Sequence, residues 1–171
     1  RCALTFDDGV SAEWTPQILN LLAEHGARAT FFMCGHAVIA NPRIADWAHT
    51  DGHEIGNHTF THPNLTDPGL THNAILNELR DTQLAVWEAT RISPEVGRAP
   101  SYRIDDRVTA IAQSLNLEHM GADVIPDDWM LDDPAEIARR VLRDGDGIVT
   151  LHDGIPPDGG SDRCTASRQP T

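Results

Sequence analysis

The amino-acid sequence predicts an α/β domain in which helices cover the outside of a parallel sheet. Short apolar runs alternate with longer segments whose apolar residues recur every three to four positions, as strands and amphipathic helices require. Turn and helix-capping residues separate the two kinds of segment. The alternation continues along most of the chain without a linker, a repeat or a low-complexity stretch, which is typical of one α/β domain.

In the first half of the chain, strands are predicted at residues 2–6, 29–33 and 53–56. Helices are predicted between them, one from Thr15 and one from Asn41. Thr15 can cap the first helix, and Pro16 suits its first helical position. Gly26 can end this helix. Each strand is therefore followed by a turn or a helix before the next strand begins.

The second half repeats the alternation. Helices are predicted over 71–90, around 108–115 and from Asp133-Pro134 onward, with extended segments at 96–100, 117–122 and 147–151. Residues 155–171 are polar, contain glycine, proline and serine, and are predicted to form a loop-like tail. We expect a single domain over 1–171 that is cut short at its C-terminus.

Length and charge exclude several classes of protein. The 171 residues fit one domain. The formal net charge is −13, with 13 Lys+Arg against 26 Asp+Glu, and this charge repels phosphate backbones and anionic lipid surfaces. No apolar run reaches the roughly 18 residues of a membrane helix. We therefore expect no nucleic-acid partner and no membrane insertion, while the oligomeric state and the compartment, secreted or cytoplasmic, stay open.

Polar residues follow the predicted strands where these strands end. They are Asp7, Asp8, His58, His62, Arg98, Asp128 and His152. In a parallel barrel the carboxyl ends of the strands meet on one rim, where active sites are built. Each of these residues taken alone has an ordinary structural explanation. Their common position at strand ends favours a functional site.

Two of these segments have the chemistry of a metal site. The adjacent carboxylates of Asp7 and Asp8 leave the strand in different directions, so one can hold a metal while the other acts as a base. The spacing of His58 and His62 places both rings on one face of a helical turn. Two imidazoles and one carboxylate leave coordination positions open and suit zinc or a similar divalent cation.

The remaining polar residues suggest support for catalysis. Arg98 can orient a nearby carboxylate through a bidentate ion pair. His152 stands at a strand end among carboxylates, which favour its protonated form and make it a candidate acid. Asp128, between Asp127 and Trp129, is a candidate partner for it.

These segments, in this order, resemble the NodB-homology polysaccharide deacetylases, known as carbohydrate esterase family four. The segments Thr5-Phe6-Asp7-Asp8-Gly9 and His58-Thr59-Phe60-Thr61-His62 match the family's first two motifs without change. The resemblance runs from Leu4 to about Asp153. It implies a distorted (β/α) barrel with fewer than eight strands.

The resemblance also implies roles for the site residues. The catalytic set would be Asp7 as the base, Arg98 as the residue that positions it, His152 as the acid, and Asp128 as the carboxylate that tunes the acid beside Trp129. The metal set would be Asp8, His58 and His62. The expected cofactor is one divalent ion, zinc first, with cobalt and nickel as alternatives.

Three positions depart from the family's pattern. Ser101 takes the aromatic position of the third motif and Tyr102 follows it, although the Ser101 N–H can still face the oxyanion. Ile125 replaces an aspartate of the fourth motif. Thr150 stands where a leucine normally lines the pocket for the acetyl methyl. The substrate and oxyanion set is therefore expected to be Ser101, Tyr102, Trp129, Thr150 and Leu151.

The predicted function is metal-dependent hydrolysis that removes an acyl group, acetyl first, from an amino sugar or a sugar ester. The departures favour an alternative, an amide hydrolase on the same scaffold that acts on a small molecule. A non-catalytic binding module is a second alternative. The hydroxyl of Thr150 needs a partner in a dry pocket, so either it bonds to nearby backbone or the acyl group carries a polar group.

Overall fold

The computed structural model describes residues 2–155 of the chain, apart from the side chain of Asp144. This part of the chain forms six strands and six α-helices. In chain order they are β1 (Cys2–Asp7), α1 (Trp14–Glu24), β2 (Ala29–Met33), α2 (Gly35–Ala40), α3 (Pro42–Thr50), β3 (Glu54–Asn57), α4 (His72–Thr90), β4 (Val96–Gly97), α5 (Asp106–Ser114), β5 (Glu118–His119), α6 (Pro134–Asp144) and β6 (Gly147–His152). A short 3₁₀ turn at Pro100–Tyr102 follows β4.

The strands form one curled parallel sheet in the order β5-β4-β3-β2-β1-β6. Beyond β5 the chain returns to the free side of β6, where Val124 forms a parallel bridge with Val149 and accepts a hydrogen bond from the Thr150 N–H at 3.0 Å. The sheet is thus a half-barrel with helices on its outside. The predicted distorted (β/α) barrel with fewer than eight strands is confirmed.

Two apolar clusters hold the helices against the sheet. The larger cluster contains Phe6, Val10, Leu19, Leu22, Ala29, Phe31, Met33, Val38, Ala45, Ala48, Ile55, Ala85 and Val86. The smaller contains Leu65, Ile75, Leu79, Ala99, Val108, Ile111 and Leu117. Burying these side chains stabilises the fold in proportion to the apolar area removed from water. The helix α4 contributes to both clusters and so joins the two ends of the sheet.

Capping side chains start three of the helices. Asp133 accepts a hydrogen bond from the Ala135 N–H at the start of α6, as the sequence predicts, and Thr71 accepts one from the Ala74 N–H at the start of α4. Asp105 caps α5 in the same way. None of the described helices is long and apolar enough to cross a membrane.

Two expectations need correction. The helix α1 begins at Trp14, so Thr15 lies inside its first turn and does not cap it. The Thr15 hydroxyl accepts from the Ser11 N–H at 2.8 Å and donates to Asp153 Oδ2 at 2.5 Å. The helix α2 was not predicted, since its six residues are too few for apolar periodicity to show. The predicted loop-like tail falls almost wholly on residues 156–171, which lie outside the described residues.

Candidate metal and catalytic site

Three potential metal ligands meet at the carboxyl ends of β1 and β3. Asp8 directly follows β1, and His58 directly follows β3. The Nε2 atoms of His58 and His62 lie 3.2 Å and 3.3 Å from Asp8 Oδ1. Asp8 and His58 are buried, and His62 is partly exposed. The sheet therefore brings together residues that are about fifty positions apart in the chain.

The geometry of these three residues fits a single cation. Asp8 Oδ1 is buried, yet within residues 2–155 it has no hydrogen-bond partner. Two ligand atoms that are each about 2.1 Å from a zinc ion, at a tetrahedral angle, lie about 3.4 Å apart. The two nitrogen–oxygen separations are close to this value. Burial raises the pKa of Asp8, but the neighbouring His58 and the other imidazoles of the site lower it below its ordinary value, so the carboxylate is ionised.

A backbone carbonyl orients the buried imidazole. His58 Nδ1 lies 2.8 Å from the carbonyl oxygen of Arg98, which can only accept a hydrogen bond. Nδ1 therefore carries a proton, and Nε2 is the ring nitrogen that faces Asp8. Outer hydrogen bonds of this kind fix the tautomer of metal-binding histidines and increase their affinity for the metal.

The segment between the two histidines is a loop, and the predicted helical turn is wrong. Thr59 and His62 have left-handed backbone conformations, with φ of 67° and 61°. The Thr59 hydroxyl accepts a hydrogen bond from the His62 N–H at 3.1 Å, and Asn57 Oδ1 accepts one from the Thr59 N–H at 2.9 Å. These bonds, and not a helix, bring the two rings together.

Glu78 of α4 holds the same loop from outside, a contact that the sequence does not reveal. Its Oε2 accepts hydrogen bonds from the N–H groups of Phe60 and Thr61 at 2.8 and 2.7 Å, and its Oε1 accepts one from the Thr61 hydroxyl at 2.8 Å. One carboxylate thus satisfies three donors between the two histidine ligands.

We expect Glu78→Ala to weaken zinc affinity by roughly 10- to 100-fold, because it frees the loop that carries both imidazoles. Isothermal titration calorimetry with zinc measures this directly. Glu88→Ala, at an exposed position of the same helix, is the matched control and should bind zinc like the parent. Equal affinity of Glu78→Ala and the parent would mean that the loop is held without this carboxylate.

The candidate base is tied to a buried arginine. Arg98 Nη1 donates to Asp7 Oδ1 and to the Thr5 hydroxyl, both at 2.7 Å. Its Nη2 donates to the Gly121 carbonyl, and its guanidinium lies 4.1 Å from the centre of the Phe32 ring. The pair with Asp7 uses one guanidinium nitrogen and is not the bidentate pair that was predicted. Nε donates to the Met120 carbonyl at 3.3 Å, so four of the five guanidinium N–H groups have acceptors and Asp7 is held by a buried side chain.

The candidate acid is paired with a carboxylate, as the sequence predicts. His152 Nδ1 lies 2.8 Å from Asp128 Oδ1, and the His152 N–H donates to Asp128 Oδ2 at 2.8 Å. The ring of Trp129 contacts the imidazole edge to face, with centroids 5.0 Å apart. Burial lowers the pKa of His152, but the hydrogen bond and charge of Asp128, with the charges of Asp8 and Asp7, raise it to about 9. The imidazole is therefore protonated at neutral pH.

Base and acid stand side by side at the rim. Asp7 and His152 are register partners at the ends of the adjacent parallel strands β1 and β6. The loop that carries Asp128 is held by Arg140 of α6, which donates to Asp127 Oδ2 at 2.7 Å and to the Pro126 carbonyl at 3.3 Å. Arg140 was not a predicted site residue, because helix arginines are usually surface charges.

We expect Asp128→Asn to move the alkaline limb of the activity profile to lower pH. An acid works in its protonated form, so activity falls as pH rises through the pKa of His152, and loss of the Asp128 charge lowers that pKa. A cation beside Asp8 offsets the Asp8 charge but not the Asp128 charge. The measurement is kcat/KM against pH, with the exposed Asp46→Asn as the charge-matched control. A limb that stays in place in Asp128→Asn would separate this carboxylate from the acid.

The predicted substrate residues divide into two groups. Ser101 is exposed beside the site, and Tyr102 next to it donates from its hydroxyl to Thr150 Oγ1 at 2.6 Å. The hydroxyl of Thr150 is thus paired with a side chain and not with backbone. Leu151 and Leu4 pack on the larger apolar cluster and, together with residues of α6, line a cavity on the face of β6 opposite His152. The structure therefore does not bring Leu151 to the site.

A buried carboxyl behind the site was also not predicted. Asp153 accepts a hydrogen bond from the Thr15 hydroxyl, and its N–H donates to the Asp7 carbonyl at 3.1 Å. Burial, with the charges of Asp8 and Asp7, raises the pKa of Asp153 to about 7. A Cβ added at Gly9 would lie 2.5 Å from its carboxyl oxygens, so only glycine fits there. Asp153 thus supports the turn that presents Asp7 and Asp8.

The half-barrel and its site define a class. The site combines a cluster of one carboxylate and two imidazoles with a separate buried carboxylate, Asp7, and a protonated imidazole, His152. This combination is typical of metal-assisted hydrolases. The family model described as polysaccharide deacetylase matches residues 1–120, and the chain belongs to this family. The resemblance seen in the sequence is thereby confirmed.

Two curated relatives have names that state an activity. The peptidoglycan-N-acetylglucosamine deacetylase PgdA of Listeria monocytogenes is 35% identical over 155 residues, which are 90% of this chain and 32% of the relative. The chitooligosaccharide deacetylase of Bradyrhizobium sp. is 37% identical over 168 residues, which are 95% of this chain and 74% of the relative. The chain spans about a third of the length of the Listeria protein.

Solved structures share the fold. The family 4 carbohydrate esterase of Streptomyces lividans, in complex with acetate, has a TM-score of 0.84 at 30% identity, over 92% of this chain and 81% of that chain. BA3943 of Bacillus anthracis, described as a pseudoenzyme of the same family, has a TM-score of 0.82 at 29% identity, over 97% and 57%. Membership of the family therefore does not by itself decide whether a chain is active.

Proposed function

We propose that the protein is a metal-dependent deacetylase that removes acetyl groups from N-acetylated amino sugars. The observation that carries this proposal is the cluster of Asp8, His58 and His62 at one rim, with a candidate base and a candidate acid on the adjacent strand ends. The names of the peptidoglycan and chitooligosaccharide deacetylases support the choice of substrate class. Zinc is the proposed ion, since two imidazoles and a carboxylate suit it.

The chain's own residues divide the chemistry among them. A cation held by Asp8, His58 and His62 would supply Lewis acidity toward the acyl oxygen and lower the pKa of a bound water. Asp7, held by Arg98, takes the proton of the attacking water. Ser101 is exposed in the turn after β4, and its N–H is the proposed donor to the oxyanion.

Departure of the product needs a proton on the sugar nitrogen. His152 gives this proton, since Asp128 keeps its imidazole charged until the bond to the acyl carbon breaks. The ring of Trp129 packs edge to face with this imidazole. The proposed base and the proposed acid therefore act on the same acyl group from the ends of two neighbouring strands.

The two alternatives are weaker on this geometry. A binding module that lost catalysis, as the description of BA3943 illustrates, has no need for an intact base, acid and ligand set. The Thr150 hydroxyl would favour a hydrolase of small amides if it had no hydrogen-bond partner in the protein and needed a polar group of the substrate. Tyr102 already satisfies that hydroxyl. An acetyl group, which has no polar group to offer Thr150, is therefore compatible with this part of the site.

A substrate comparison tests the proposal. Acetate release is measured with acetylated amino-sugar oligomers, acetylated xylan and small acetamides, with zinc or cobalt supplied. We expect the amino-sugar oligomers to have the highest kcat/KM. Hydrolysis of the small amides alone would favour the second hydrolase, and specific binding of the oligomers without hydrolysis would favour the binding module.

A further inference from the structure

A hydrogen bond crosses the site between the turn after β4 and the last strand. The Tyr102 hydroxyl and the Thr150 hydroxyl lie 2.6 Å apart, although 48 positions separate the two residues. Thr150 is 1% exposed and lies two positions before His152, on the same face of β6. The bond therefore ties the turn after β4 to the strand that carries the candidate acid.

The turn itself has an unfavourable backbone. Ser101 and Tyr102 both have left-handed conformations, with φ of 53° and 57°, and neither is a glycine. Two backbone hydrogen bonds close it, from Tyr102 N–H to Ala99 and from Arg103 N–H to Pro100. Within residues 2–155 no hydrogen bond involves the Ser101 N–H, which leaves it available to a substrate. Such strained turns persist where the surroundings hold them in place.

The phenol ring is held at both of its ends. The Arg98 guanidinium lies 5.5 Å from the ring centre, and Thr150 engages the hydroxyl. Arg98 also holds Asp7, and Thr150 precedes His152. The ring thus lies between the residue that positions the candidate base and the strand of the candidate acid.

We propose that the hydrogen bond between Tyr102 and Thr150 is a positioning device, which holds the left-handed turn so that the Ser101 N–H faces the acyl oxygen. Tyr102 and Thr150 are positioning residues in this view, because they act through Ser101. The inference rests on the proposed hydrolase function.

Removing either hydroxyl tests the proposal. Tyr102→Phe and Thr150→Val each break the bond with little change in shape. We expect each to lower kcat about tenfold with KM changed less than about twofold, because the loss affects the transition state more than the bound substrate. The double variant should be no slower than the slower single variant, since the same bond is lost once.

Two further variants separate the bond from general stability. Thr150→Ser keeps a hydroxyl at the same place and should recover most of kcat. Thr90→Val removes another buried threonine hydroxyl, one that donates to the Val86 carbonyl at the end of α4, and should behave like the parent. Additive losses in Tyr102→Phe and Thr150→Val, or a change confined to KM, would overturn the positioning role.

A spectroscopic measurement follows the bond without any turnover. Tyr102 is the only tyrosine among the 171 residues, so tyrosine labelled with ¹³C at Cζ gives one NMR signal. We expect Thr150→Val to move this signal, and Thr150→Ser and Thr90→Val to leave it near its parent position. A signal unmoved in Thr150→Val, in an active protein, overturns the positioning role alone. A parent that hydrolyses none of the offered substrates overturns the proposed function, whatever the signal does.

Discussion

Asp7→Asn is expected to lower kcat by roughly 10²- to 10⁴-fold while the protein still binds zinc. Asparagine keeps the size of aspartate and one oxygen that can accept from Arg98 Nη1, so the buried guanidinium stays paired. What it loses is the carboxylate that takes a proton from the attacking water. Asp7 is not one of the three clustered ligands, so metal affinity should change little.

Steady-state acetate release and zinc calorimetry on the same samples check this result. Asp8→Asn is the matched variant, one residue along the chain, and we expect it to lose zinc affinity. If Asp7→Asn lost the metal and Asp8→Asn kept it, the two carboxylates would have the opposite roles. Full activity in Asp7→Asn would leave the reaction without its proposed base.

His58→Ala and His62→Ala are expected to have the next largest effect, the loss of zinc binding and of activity together. Each removes one of three ligand atoms that lie within 4.8 Å of one another. His58→Ala should be the more severe, because its ring is buried and fixed by the Arg98 carbonyl, whereas His62 lies on the partly exposed side. Affinity should fall by more than about 100-fold in both.

Elemental analysis after dialysis against zinc, together with calorimetry, measures the loss. His25→Ala is the control, since His25 is exposed just after α1 and away from the cluster. Parent-like zinc content in His58→Ala or His62→Ala would show that the cation binds elsewhere. Zinc content that falls without loss of activity would separate the metal from the reaction.

The candidate catalytic and metal-binding residues could be predicted from the sequence, whereas the residues that hydrogen-bond to their loops and turns could not. Asp7 ends β1, and Asp8 and His58 directly follow β1 and β3, so their convergence at one rim follows from the topology. Thr15 and Asp153 are 138 positions apart, and nothing local to either residue indicates that they are hydrogen-bonded. In the sequence alone, Glu78 is likewise indistinguishable from the other acidic residues of an amphipathic helix; its role follows only from its hydrogen bonds to the loop.

Short elements and irregular turns were equally hard to predict. The six residues of α2 are too few to show a helical periodicity of apolar residues. The loop from His58 to His62 has the residue spacing of a helical turn but not a helical backbone conformation. The left-handed residues there are Thr59 and His62, and a β-branched threonine gives no indication of such a conformation. The pairing of Thr150 with Tyr102 could not be predicted either, because it depends on how far the sheet curls.

Arg98 engages both halves of the site through different atoms. Its backbone carbonyl accepts from His58, and its side chain donates to Asp7. A thermal displacement of this residue therefore carries the imidazole and the carboxylate in the same direction. The distance between His58 and Asp7 should therefore fluctuate less than the position of either residue. The spacing between the metal site and the proposed base then changes little when the sheet fluctuates. The open side of a half-barrel can then be mobile without loss of catalytic alignment.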